Sequence, residues 1–237
     1  MTKIVITQPM FFPWVGLLEQ IKLADILVFY NDVQFSKGSF TNRVQTKTKN
    51  GKKWLTVPLY NHKLGQKINE VKIQPKALWY NKIINLLIDS FNNAPFRDDA
   101  INLAAKVLSG DYKNLAEISI SSISNLLEYF QFPKKRILFS EKIGINGSGS
   151  DRVLEIVKQL KGEIYISGLG GKNYLNHEKF ENNGVKVFYM KYEKKKYLQQ
   201  FGDFDPYVSS LDLIANYGKN SKNFLVSNAK HWKNSLL

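Results

Sequence analysis

Apolar positions fall into two rhythms along the 237-residue chain. Short unbroken runs, "KIVIT" (Lys3–Thr7), Ile26–Tyr30, Ile137–Ser140, Glu163–Ser167 and Val185–Met190, have the length and β-branched content of strands buried on both faces. Elsewhere apolar residues recur every three or four positions. Leu17, Leu18 and Ile21 form one stripe within Trp14–Ala24, a second helix is expected over Asp151–Lys161, and a short one near Glu178. Strand, helix and strand in succession define parallel βαβ units with right-handed crossovers. The predicted fold class is therefore α/β: a doubly wound, mostly parallel, Rossmann-like sheet built from residues 1–52 and 134–237 of one domain.

The rhythm changes between those two blocks. Lys53–Leu59 and Ile68–Ile73 read as short strands around a glycine-containing turn, a β-hairpin insertion over 53–75. Trp79–Asn92 and Asn114–Phe130 read as helices, the latter with Leu115, Ile118, Ile123, Leu126 and Leu127 on one stripe, giving a central helical insertion over 76–133.

Composition narrows the function classes. The absence of cysteine removes disulfides, thiolate metal sites and an enzyme-bound thioester together, and fits a reducing compartment. No apolar run approaches membrane-spanning length and the chain opens directly into a strand, so a cytoplasmic location is expected. The formal charge of +14 suggests anionic partners, but only four of the 34 basic residues are arginine. Lysine spread over helix faces reads first as solubility, with nucleic acid the lesser alternative. His62, His177 and His231 have no metal-ligand spacing, so no metal is expected.

In an open parallel sheet, ligands bind beyond the carboxyl ends of the strands. The first strand ends at Gln8, followed by the aromatic turn "PMFFPW", whose prolines stiffen it and whose Trp14 offers a pocket wall. The second strand ends in "NDVQFSKGSFTNR", bringing Asp32, Gln34, Lys37, Asn42 and Arg43. A later one ends in "SGLGGKNY", bringing Ser167, Gly168, Gly171 and Tyr174, with His177 just beyond. That loop matches neither a dinucleotide fingerprint nor a phosphate-binding P-loop. Ser209–Asp212, "SSLD", has capping-box spacing, and Asp212 is read equally as cap and as ligand contact. An aspartate at the end of a buried strand requires a partner, and Asp32 is expected beside Arg43 or Lys37.

The segments "ITQPMFFPWVG", "ADILVFYNDVQFSKGSFTNR", "WLTVPL", "YISGLGGKNYL" and "KYLQQFGDFDPYVSSLDLIANYG" together resemble, in order and from end to end, the WbqC-like family. Its pattern opens on Q-P-x-[FY]-[FL]-P and closes on a Y-x-Q … S-x-x-D … N-x-G run; here Asn31, Trp14 and Ala215 depart from it. The resemblance marks Gln199, Asp212 and Asn216 as motif positions beside those named above. It implies a bacterial protein of O-antigen and related lipopolysaccharide or surface-glycan gene clusters, in which a member is suggested to be a glycine transferase. The expected activity is transfer of an aminoacyl (glycyl) group to the amine of a nucleotide-linked amino sugar, with ATP or an aminoacyl-tRNA supplying the activated acyl donor. Asp32 would act as base, with Gln8, Asn42 and the amides of Gly168–Gly171 steadying the oxyanion or sugar, and Lys37 and Arg43 holding the diphosphate. A non-catalytic sugar-nucleotide or glycan-binding component is the alternative, and a nucleic-acid binder a third.

Overall fold

A computed structural model describes residues 1–235. In chain order the elements are β1 (Lys3–Thr7), α1 (Val15–Lys22), β2 (Ile26–Phe29), β3 (Arg43–Thr48), β4 (Gly51–Thr56), α2 (Tyr80–Ser90), α3 (Arg97–Leu108), α4 (Leu115–Tyr129), β5 (Arg136–Phe139), α5 (Ser140–Ile143), α6 (Gly149–Gln159), β6 (Ile164–Ser167), α7 (His177–Asn182), β7 (Lys186–Tyr192), α8 (Ser210–Tyr217) and β8 (Ser227–His231). The expected mixed α/β architecture is present. Six strands lie in the order β5-β2-β1-β6-β7-β8, all parallel except β8, and β3 and β4 form a separate antiparallel hairpin. Numbered by their appearance in the chain, the six sheet strands run 3-2-1-4-5-6, the Rossmann order, with its reversal between β1 and β6.

Alternation along the central strands divides the core. Val5, Leu27, Phe29 and Ile166 face α1, the hairpin and the helical insertion, whereas Ile4, Ile6, Val28, Tyr165 and Val187 face Val153, Leu154, Val157 and Phe180 of α6 and α7. The insertions thus cover one face of the sheet only.

Three strand assignments differ from the sequence reading. Residues 68–73 do not form a strand: Ile68–Glu70 is a short 3-10 turn, and a single bridge joins Leu59 to Ile73. Ile68 and Val71 are both fully buried, and a spacing of three puts side chains on one side of a helical turn but on opposite faces of a strand. The hairpin partner of β4 is instead β3, whose polar side chains hide its strand character. Strand β8, "SNAKH", is an equally polar edge strand that the pattern did not announce.

The aromatic turn after β1 is where these parts meet. Phe12 is fully buried, yet its φ of 39° lies in the left-handed region that a bulky side chain adopts at a cost of about 1–3 kcal/mol. Its amide donates to Ser122 Oγ of α4 (2.9 Å), and its carbonyl accepts from Ser209 Oγ at the start of α8 (3.0 Å). The neighbouring Phe11 amide donates to the Phe40 carbonyl (3.1 Å), and Ser210 donates its amide to the Pro13 carbonyl (2.9 Å). Phe11 and Phe12 are fully buried core residues in edge contact.

Ser209 also accepts the Leu211 amide (3.2 Å), so its hydroxyl caps α8 and holds the strained turn at once. Ser209→Ala should lower the unfolding free energy by about 1–3 kcal/mol in a urea titration, because a buried carbonyl loses its donor. Ser122→Ala should add less than its separate cost when combined with it. Full additivity in that double-mutant cycle would show that the turn does not couple the two helices.

Candidate functional site

A cavity of about 980 Å³ opens at the carboxyl ends of β1, β6 and β7, at the reversal of the strand order. Its lining has a distinctive make-up. Six tyrosines contribute: Tyr30, Tyr165, Tyr174, Tyr189, Tyr192 and Tyr207. Four lysines contribute as well: Lys172, Lys191, Lys194 and Lys230. Among the described residues, no aspartate, glutamate or histidine lines it.

Trp14 forms one wall, in edge contact with Tyr192 (5.0 Å between ring centroids) and Tyr207 (5.6 Å), while Lys194 Nζ lies 5.2 Å from the Tyr207 ring. The Trp14 ring folds over Gly16, where a Cβ would fall 1.9 Å from it, so glycine at this position lets the wall stand. On the opposite side Tyr165 is fully buried, its hydroxyl beside those of Ser167 and Tyr174, and burial raises its pKa well above the ordinary value. The turn after β6 closes this end: Gly171 is required because a Cβ would sit 2.2 Å from Ser167 Oγ, whereas Gly170 faces open space. Lys172 donates to the Ser235 carbonyl and lies against the Tyr189 ring.

Of the residues expected from sequence, Gln8, Trp14, Ser167, Gly168, Gly171 and Tyr174 converge on this cavity. The block after β2 does not join them. Asp32 is ion-paired to Arg152 of α6 (Nη2 to Oδ2, 2.5 Å) rather than to Arg43 or Lys37, and accepts from Ser140 Oγ (2.5 Å). Burial alone would raise its pKa, but the hydrogen bonds from Arg152 and Ser140 outweigh it and hold the carboxylate below its usual range, which is the opposite of what a general base at neutral pH needs. Asn42 is buried and donates to the Val57 carbonyl (3.1 Å), tying the hairpin to the chain that leaves it. Arg43 stacks on Trp54 at 4.2 Å and donates to the Gly38 carbonyl, while Lys37 and Gln34 are exposed outside the cavity. His177 lies behind the wall, its Nε2 2.6 Å from Tyr189 Oη.

Gln199, Asp212 and Asn216 belong to a buried polar network between the hairpin and α8. Lys47 of β3 donates to Gln199 Oε1 (3.2 Å) and to the carbonyls of Gly202 (3.2 Å) and Asp203 (2.5 Å). Asn216 donates to the Asp212 carbonyl (2.8 Å). Burial pushes the Asp212 carboxyl up to about 7, against the opposing pull of Tyr197, Lys47 and Gln199. Apart from Tyr174, the tyrosines of the lining escaped the sequence reading, because Tyr165 and Tyr189 sit inside apolar strand runs that look like core. A usable signal was present: tyrosine stands at the carboxyl ends of β2 (Tyr30) and β7 (Tyr192), the edge where this fold binds ligands.

The fold and site define a doubly wound α/β protein with a cationic, tyrosine-lined cavity at the reversal point of its sheet. The WbqC-like protein family model matches residues 8–224, and the chain belongs to that family. It is 28% identical over 231 residues to the Mycobacterium tuberculosis protein named "Uncharacterized protein Rv1507c", covering 95% of this chain and 98% of that one. No solved structure gives a significant match to the chain. Among the described residues, no helix is long and apolar enough to cross a membrane, and no group of three or more His, Asp or Glu stands ready to hold a metal ion.

Because the folded Asp212 carboxyl binds its proton more tightly than the unfolded chain does, its contribution to stability is present below about pH 4 and is lost as pH rises toward about 7. Asp212→Asn should therefore gain stability relative to the wild type as pH rises through that window. Comparing thermal unfolding of the two proteins at each pH cancels the opposite slopes from Asp32 and His177. A difference that does not change with pH would contradict the raised value.

Proposed function

We propose that the cavity binds a nucleotide-linked amino sugar and that the chain transfers an aminoacyl group, glycyl in the first instance, to that sugar's amine during assembly of a surface glycan of the O-antigen kind. The observation that carries the reading is the lining: among the described residues, four lysines and no carboxylate side chain around an aromatic-walled cavity at the reversal point of a Rossmann-ordered sheet. Lysine ammonium groups serve the diphosphate as point charges that strengthen as the cavity excludes water. The Trp14, Tyr192 and Tyr207 wall offers apolar faces to a base or sugar ring. Gln8 supplies neutral hydrogen bonds at the floor, and the Gly168–Gly171 turn lets a ligand approach the backbone closely.

Amide formation needs an activated acyl donor, either an aminoacyl-adenylate made from ATP or an aminoacyl-tRNA. The lack of any carboxylate or imidazole among the described residues of the lining favours a second reading, a sugar-nucleotide-binding component that performs no chemistry. A nucleic-acid binder is the outcome in which RNA or DNA, and not a nucleotide sugar, binds with steep salt dependence.

Calorimetry with a UDP-linked amino sugar should show binding that weakens as salt rises. Lys194→Ala and Lys230→Ala should each weaken it by about tenfold, equivalent to about 1.4 kcal/mol. Incubating the protein with that sugar, ATP, glycine and glycyl-tRNA should yield a glycyl-sized mass addition on the sugar. Binding without any addition supports the second reading, and unchanged affinity in both lysine variants removes the cavity from the proposal.

A further inference from the structure

Resting on the transfer reading above, we infer that Tyr189 and His177 form the proton path out of the cavity, the Tyr189 phenol accepting the proton of the attacking amine while its own proton passes to His177 Nε2. Three observations lead there. Among the described residues the cavity has no carboxylate or imidazole of its own, so a base is reached through a lining group. His177 is the histidine that touches one: its Nε2 lies 2.6 Å from Tyr189 Oη, and Tyr189 lines the cavity. The neighbouring carboxylates are engaged elsewhere: Asp32 is ion-paired with Arg152, whose guanidinium lies 4.9 Å from the Tyr30 ring, Glu193 with Lys191, and Glu19 accepts the Val226 amide.

The surroundings of His177 suit an acceptor that stays neutral until it is used. Its ring stacks on Trp232 (centroids 4.6 Å apart, 18° between planes), which fixes the imidazole and shields it. Burial lowers its pKa from the ordinary histidine value, with His231 of β8 pulling the same way and Glu181 of α7 opposing. Glu181 is itself occupied, accepting from Trp232 Nε1 (2.8 Å) and pairing with Lys233 (3.0 Å) and His231 (3.2 Å). From the turn after β6, Tyr174 and Lys172 face Tyr189 and not the imidazole. Burial, with Tyr174, pushes the Tyr189 hydroxyl up to about 12, so the phenol relays a proton without becoming a resident phenolate.

The step balances without a further reagent. The amine nitrogen forms the C–N bond to the carbonyl of an aminoacyl ester or acyl-phosphate anhydride, and one amine proton moves to Tyr189 Oη as the phenol proton moves to His177. The C–O bond to the leaving group then breaks, and the leaving oxygen keeps the electron pair. The imidazolium returns its proton by the same path to that oxygen, or to solvent when the leaving group is a phosphate. Tyr189 is the group that meets the substrate, and His177 is the positioning residue behind it.

The tautomer is read directly by long-range proton–nitrogen correlation spectra of the ¹⁵N-histidine protein. At neutral pH His177 should carry its proton on Nδ1, leaving Nε2 to accept from Tyr189, and should titrate below the ordinary histidine value. A proton on Nε2 overturns the inference. In the transfer assay with a UDP-linked amino sugar, wild-type kcat should rise with pH through the His177 titration and then level. His177→Gln and Tyr189→Phe should each lower kcat by about 100-fold and abolish that rise, with KM for the sugar and its calorimetric affinity unchanged. Active wild type with unchanged kcat in His177→Gln overturns the inference alone. Wild type inactive with every donor overturns the transfer reading, and with it the inference, whatever the tautomer.

Discussion

The backbone of Phe12 is the constraint on which the remaining structure depends. A phenylalanine with φ of 39°, fully buried and followed by proline, does not hold that conformation by local preference. Its amide and carbonyl cannot find partners in β1, which has ended, or in α1, which has not begun. They find them in Ser122 and Ser209, which stand 110 and 197 residues away in the chain. Two hydroxyls thereby lock the helical insertion and the carboxyl-terminal helix α8 onto the first turn of the sheet. Because Pro13 and Trp14 follow directly, the same lock fixes where α1 starts and which way the Trp14 ring faces. The cavity wall is a consequence of that strained turn, although the two phenylalanines within it never reach the cavity.

Charge is segregated around this frame. Three carboxylates in this part of the molecule are turned away from the cavity, Asp32 to Arg152, Glu19 to the amide of Val226 and Asp212 into the network with Lys47, whereas Glu193 pairs with Lys191 of the lining (2.9 Å). Glu19 is fully buried, and burial pushes its carboxyl up to about 7 despite that amide. Lysines supply the charge that remains at the mouth, and Lys172 meets a carbonyl and the Tyr189 ring, with no carboxylate partner among the described residues. A cavity so arranged keeps a positive potential until an anion enters it, and the low dielectric of its tyrosine walls strengthens the attraction when one does. The overall charge of +14 says little about partners, but its distribution at this edge of the sheet says a good deal.

Much of the fold was legible because a parallel sheet buried on both faces writes itself as continuous apolar runs, and β1, β2 and β6 read that way. Strands β3 and β8 were not, since β3 carries glutamine, threonine and lysine, and β8 serine, asparagine and lysine, which look like loop. Half of the site was legible for a topological reason. Gln8 and the Ser167–Tyr174 turn follow β1 and β6, the two strands that flank the reversal of order, so the switch-point rule leads to the cavity they line. The block from Asp32 to Arg43 follows β2, which lies one strand away from that reversal, and the chain there departs into the hairpin. Knowing that ligands bind at strand ends was not enough; knowing which strands flank the reversal required the order across the sheet, and pattern alone does not reveal that β6 returns to the other side of β1.

The position of Asp32 shows how a residue can matter to a site it does not enter. Its carboxylate draws the Arg152 guanidinium to the carboxyl end of β2, where the cation lies 4.9 Å from the Tyr30 ring, and Tyr30 is part of the lining. The Arg152 Nε also donates to the Ile145 carbonyl (2.8 Å), so the loop before α6 is held by the same side chain. Removing the carboxylate would leave a cation only 6% exposed without its partner, a far larger disturbance than the loss of one surface charge. A substitution at Asp32 that abolished function would therefore be expected whether or not Asp32 takes part in any proton transfer. Separating those explanations depends on residues whose removal leaves the packing intact, and that is why the chemistry of this cavity is better sought at its tyrosine wall than at its most conspicuous acid.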